Sequence, residues 1–87
     1  MKDFESLYRE LREKAERADP DSGTVQLLAR GKHAIGKKLI EEAGEVWMAS
    51  RYESREQVAE EISQLLYHAQ VMMLANELKL EDVYRYL

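Results

Sequence analysis

Apolar residues recur along this chain at intervals of three and four and nowhere alternate strictly, so every element that the pattern predicts is a helix. Phe4, Leu7, Tyr8, Leu11 and Ala15 define one apolar face over about residues 3–18, and Asp19-Pro20 stops that helix. Asp21-Ser22-Gly23-Thr24 offers side-chain oxygens to cap a short helix through Val25, Leu27 and Leu28, which Gly31 closes. A long helix follows from about His33 to Arg51. Ser54-Arg55-Glu56-Gln57 has the spacing of a capping box, in which a hydroxyl and the side chain three residues on serve each other's free backbone N–H groups, and it opens a second long helix to about Leu78. Leu80 to Leu87 reads as a short terminal helix without a good cap. The resulting picture is one all-α domain over residues 1–87: a helical bundle of two long antiparallel helices joined by a tight turn, with shorter helices around them.

Composition narrows the function classes. With 45% hydrophobic and 34% charged residues, the chain is that of a globular protein, though 87 residues bury only a modest core. It has no cysteine, which excludes both a disulfide framework and a thiolate metal site. A formal charge of −4 gives no general attraction for nucleic acid. No apolar run approaches the length of a membrane span, so a cytoplasmic location without membrane contact is expected.

The charges are more telling once they are placed on the helices at about 100° per residue. On the first long helix Ile35, Leu39, Ala43 and Val46 form the apolar face, with Glu42 within about 60° of its centre. Lys38, Glu42, Glu45 and Ala49 run along its flank, while Glu41 points away. On the second, Val58, Ile62, Leu65, Leu66, Ala69 and Met73 face inward, with Glu61, Gln64 and His68 along one edge and Glu60 turned outward. Antiparallel packing then lets Glu42, Glu45 and Glu61 converge. Carboxylates held together need a cation between them, and a hard, oxygen-liganded ion such as Mg²⁺ suits a chain without cysteine. Glutamate-rich helix edges are also commonly solvated or paired with Lys and Arg, so spacing alone does not decide for a metal. A di-iron site is disfavoured, because Leu65 and Arg30 stand three residues before His68 and His33 where Glu-x-x-His pairs would need glutamates.

Lys37-Lys38-Leu39-Ile40-Glu41-Glu42-Ala43-Gly44-Glu45-Val46, followed by Glu60-Glu61-Ile62-Ser63-Gln64-Leu65-Leu66-Tyr67-His68, resembles the phosphoribosyl-ATP pyrophosphohydrolase family. The Ser22-x-Thr24 turn, Gly31 and Leu80-Glu81-Asp82-Val83 agree in order and spacing, so the resemblance covers nearly the whole chain. It implies the MazG-like all-α nucleotide pyrophosphohydrolase fold, completed by homodimerisation. It also implies Mg²⁺-assisted attack of water on the triphosphate of phosphoribosyl-ATP, yielding phosphoribosyl-AMP and pyrophosphate, the second step of histidine biosynthesis. A separate phosphoribosyl-AMP cyclohydrolase is the implied partner. The family's Glu-x-x-Glu and Glu-x-x-Asp metal ligands fall on Glu42, Glu45, Glu61 and Gln64. The last departs from the pattern, since an amide oxygen brings no negative charge to the site. The same carboxylates would serve a MazG-like house-cleaning triphosphate pyrophosphohydrolase, whereas a non-catalytic helical interaction module would show no Mg²⁺ dependence.

Several other positions carry two readings each. Lys38 is a candidate for substrate phosphate or for an i, i+4 pair with Glu42. Lys37 points nearly opposite the apolar stripe and reaches substrate only if a neighbouring subunit completes the pocket. Ser22 and Thr24 serve as helix caps or as hydrogen-bond donors to substrate phosphate. His68 is a structural residue or a ligand, and Trp47 and Tyr67 read as packing residues. Tyr67, Val71 and Leu74 add an apolar strip on the far side of the second long helix, which is predicted to lie in a homodimer interface.

Overall fold

Side-chain caps determine where most helices begin in the computed structural model, which describes residues 1–87. Helix α1 (Phe4–Arg17) starts where the Asp3 carboxylate accepts the Ser6 N–H at 2.8 Å and the Ser6 hydroxyl accepts the Asp3 N–H at 2.9 Å. Its end is Ala18, in the left-handed region at φ 53, and the Asp19 carboxylate then accepts the Asp21 N–H at 2.9 Å to make the turn. Ser22 caps α2 (Gly23–Arg30) by accepting the Val25 N–H at 3.3 Å. Gly31, at φ 92, separates α2 from α3 (Lys32–Tyr52), whose first N–H groups receive no side-chain cap. The expected capping box opens α4 (Arg55–Ala75), with Ser54 and Gln57 bonding reciprocally at 3.2 and 3.3 Å. There is no strand, and no helix is long and apolar enough to cross a membrane.

Two boundaries differ from the sequence reading. Helix α4 ends at Ala75 instead of continuing to Leu78, because Glu77 takes a left-handed φ of 56 while its N–H and that of Leu78 turn back to the carbonyls of Leu74 and Met73 at 3.0 Å. That is a Schellman closure, with glutamate where glycine is usual. Helix α5 (Leu80–Tyr84) stops short of Leu87 and is capped in part, its Asp82 carboxylate accepting the Lys79 N–H at 2.8 Å.

Helices α3 and α4 have 21 residues each, so each is about 31 Å long at about 1.5 Å per residue. The longest dimension of the molecule is 39 Å, which forces the two to fold back on each other across the Glu53-Ser54 link. Gly36 near the start of α3 faces the Met72 side chain near the end of α4, as antiparallel pairing requires.

The core lies at one end of this hairpin. Leu11, Leu27, Ile35 and Val71, one from each of the first four helices, are buried together, with Leu7, Leu28, Tyr67, Met72, Leu74 and Ala75 packed against them. Each such side chain contributes about 1.5–3 kcal/mol by leaving water. The strip of Tyr67, Val71 and Leu74 therefore faces the chain's own α1 and α2 and is not free for a second subunit. Ile62 and Leu66, expected inside, are 41% and 44% exposed, Ala43 is exposed, and Trp47 is 65% exposed and not packed. The projection treated α4 as having one inner face throughout. In fact α1 and α2 surround its second half, while most of its first half is exposed beyond its contact with α3. Three long-range bonds bind the chain ends to this core. Gln70 donates to the Phe4 carbonyl at 2.8 Å, Tyr84 donates to Glu5 at 2.7 Å, and the Tyr8 hydroxyl donates to the Leu78 carbonyl.

Candidate metal centre

Away from the core, where α3 meets the first half of α4, the hairpin brings Glu42, Glu45 and Glu61 together. Oxygens from all three carboxylates lie within 4.8 Å of one another. Glu42 and Glu45 are three residues apart, hence on one side of α3, and Glu61 meets them from α4. Glu42 and Glu61 are half-buried, and each has one oxygen shielded from water with no hydrogen-bond partner. No Lys, Arg or His forms an ion pair with any of the three. The cost of this crowding falls on Glu61. Its pKa is raised to about 7, first by a hydrogen bond shared with Glu45, then by burial and by the charges of Glu45, Glu42 and Glu60.

Oxygen donors alone, two of them orphaned, with no protein cation to neutralise them, are the ligand chemistry of a hard divalent ion. The residues fit Mg²⁺. Gln64, the fourth expected position, lies exposed on α4 and lines an apolar cavity against Phe4 and Leu7 of α1. His68 is buried, its ring Nδ1 lies 2.8 Å from the Gln64 carbonyl, and its ring packs edge-on against Tyr67 at 4.9 Å. These contacts make it a structural residue of the core end.

The remaining candidates are distributed over two cavities. Ser22 caps α2, and Thr24 is buried with its hydroxyl 2.7 Å from that of Tyr67. Both line a hollow of about 490 Å³ with Lys14, Arg17, Asp19 and Asp21. Lys38 pairs with Glu41 at 3.4 Å and not with Glu42. Together with Lys37 it lines a second cavity, of about 310 Å³, which also includes Arg30, His33 and Glu41. Arg30 and His33 escaped the sequence reading although their spacing to Lys37, three and then four residues, was the signal. They fall either side of the α2–α3 junction, where no single helix projection includes both.

Residues 4–87 match the phosphoribosyl-ATP pyrophosphohydrolase family. The chain belongs to that family. It is 64% identical over 87 residues to a phosphoribosyl-ATP pyrophosphatase of Salinibacter ruber, covering 100% of both chains. To a phosphoribosyl-ATP pyrophosphatase of Streptomyces avermitilis it is 58% identical over 87 residues, covering 99% of this chain and 97% of the relative. The all-α, MazG-like helical fold and the hydrolase class expected from the phosphoribosyl-ATP pyrophosphohydrolase resemblance both stand.

Proposed function

We propose that this protein hydrolyses phosphoribosyl-ATP to phosphoribosyl-AMP and pyrophosphate, the histidine-biosynthetic step, and that it does so with Mg²⁺ in the cytoplasm. The observation that carries the catalytic part is the convergence of Glu42, Glu45 and Glu61 with two buried oxygens left unpartnered. Those three side chains would hold the ion, with Gln64 a candidate for a further, neutral oxygen. When bound, Mg²⁺ neutralises triphosphate charge as it accumulates in the transition state. The chain supplies position: α3 and α4 fix the carboxylates on two long rigid elements. Lys38, one turn before Glu42 on the same stripe, presents an ammonium to phosphate. Water attacks the α–β anhydride, the bridging P–O bond breaks, and pyrophosphate leaves. Ser22 and Thr24 belong to this reading as phosphate contacts at the start of α2, in addition to their structural bonds.

The proposal includes a homodimer, on a surface other than the one the sequence suggested. Ile40, Trp47, Met48, Ile62 and Leu66 of α3 and α4 are between 41% and 75% exposed. Light scattering that gives only the 10.2 kDa mass of one chain at micromolar concentration would overturn it. The activity is tested by pyrophosphate release from phosphoribosyl-ATP with and without Mg²⁺. Release that requires Mg²⁺ supports the reading. Release from ordinary nucleoside triphosphates alone points to a house-cleaning pyrophosphohydrolase, and no release from folded protein rejects both.

A further inference from the structure

Phosphoribosyl-ATP differs from an ordinary nucleoside triphosphate in carrying a second anionic end, the 5′-phosphate of the added ribose. Resting on the activity proposed above, we infer that the cavity lined by Arg30, His33, Lys37 and Lys38 receives that phosphate and so distinguishes the substrate from free ATP.

Charge singles this cavity out. Arg30, Lys37 and Lys38 face only one carboxylate there, Glu41, and of the three cations only Lys38 is ion-paired. The hollow beside Ser22 balances Lys14 and Arg17 with Asp19 and Asp21, and that beside Arg9 and Arg12 balances them with Glu13 and Glu16. The cavity beside Arg12 and Lys79 carries Glu77 and has the smaller excess. Arg30 and Lys37 are exposed and unpaired, free to donate charge-assisted hydrogen bonds to a phosphate. The uncapped N–H groups at the start of α3 add to the positive potential.

Position agrees with charge. Lys38 lines the cavity and also lies on the stripe of Glu42 and Glu45, so it stands between the two sites, while Lys37 and Glu41 carry the cavity round α3 away from the carboxylates. Along the helix axis the cavity and the carboxylates are about 10 Å apart, taking about 1.5 Å per residue. A volume of about 310 Å³ accommodates a sugar phosphate.

The test is steady-state kinetics with Mg²⁺ on the wild type and on the Arg30→Gln/Lys37→Gln double variant. Both positions are exposed, so the fold is expected to survive, and circular dichroism verifies it. ATP is included as a competitive inhibitor, because its inhibition constant reads the triphosphate end alone. The expected result is a KM for phosphoribosyl-ATP raised about tenfold or more, with kcat and the ATP inhibition constant changed by less than about twofold. An unchanged KM overturns the inference, as does a parallel rise in the ATP inhibition constant or a fall in kcat as large as the rise in KM. If the wild type binds ATP but does not turn over phosphoribosyl-ATP, the activity itself is wrong, a failure visible before any variant is made.

Discussion

From Tyr67 to Ala75 no residue of α4 is exposed, whereas from Arg55 to Leu66 only Val58, Glu61 and Leu65 are even partly covered. The covered half bonds most of its polar groups to its own chain, His68 to the Gln64 carbonyl, the Gln70 amide nitrogen to that of Phe4 and Tyr67 to Thr24, and leaves one neutral oxygen, that of Gln70, buried without a partner. The open half leaves carboxylate oxygens buried and unpartnered. One helix thus carries a packed end that supplies stability and an end of crowded carboxylates that is available to a ligand. In so small a chain the two tasks are divided along the length of a helix and not between domains.

Substitutions that affect one half and spare the other sharpen this division. The largest effect is expected from Glu42→Ala, which should lower kcat with Mg²⁺ by about 100-fold or more while the thermal midpoint holds or rises. Full activity in that variant would remove Glu42 from the site. Leu11→Ala should do the reverse, lowering stability by about 2–5 kcal/mol in denaturant titrations, with kcat per folded molecule kept.

A smaller effect follows pH. Glu61 titrates near 7 in the folded chain against 4.5 for an ordinary glutamate. Between those values the native state holds a proton that the unfolded state has lost, so this group's contribution to stability falls as pH rises from about 4.5 through about 7. Without metal, Glu61→Gln should therefore gain stability over wild type progressively between those pH values. A difference independent of pH would mean the three carboxylates do not repel. The smallest change is expected at Glu77, where a left-handed φ of 56 burdens a side chain. Glu77→Gly should raise stability by up to about 1 kcal/mol, read as a higher urea midpoint at unchanged slope.

What could be read from the sequence follows the same division. Ser22 and Ser54 marked helix starts, and Glu42, Glu45 and Glu61 were found because a three-residue step keeps two side chains on one face whatever packs around the helix. The end of α4 was missed because Glu77 adopts a conformation that sequences normally announce with glycine. Tyr67, Val71 and Leu74 were assigned to the wrong neighbour for a different reason. Periodicity reports that a face is apolar but not which element covers it, and here α1 and α2 did so in place of another subunit. The basic cavity stayed hidden because Arg30 precedes the Gly31 break while His33 and Lys37 follow it.

The bonds from Gln70 to Phe4, Tyr8 to Leu78 and Tyr84 to Glu5 close loops of 66, 70 and 79 residues, against the two-residue link between α3 and α4. Closing a loop costs more chain entropy the longer it is, so the hairpin assembles early and the clasp of the two ends comes late. The carboxylates of Glu42, Glu45 and Glu61 are then brought together by the fast, local part of folding. The terminal clasp acts as a latch on an already formed site, and α5, which buries no residue, is the element whose amides are expected to exchange first.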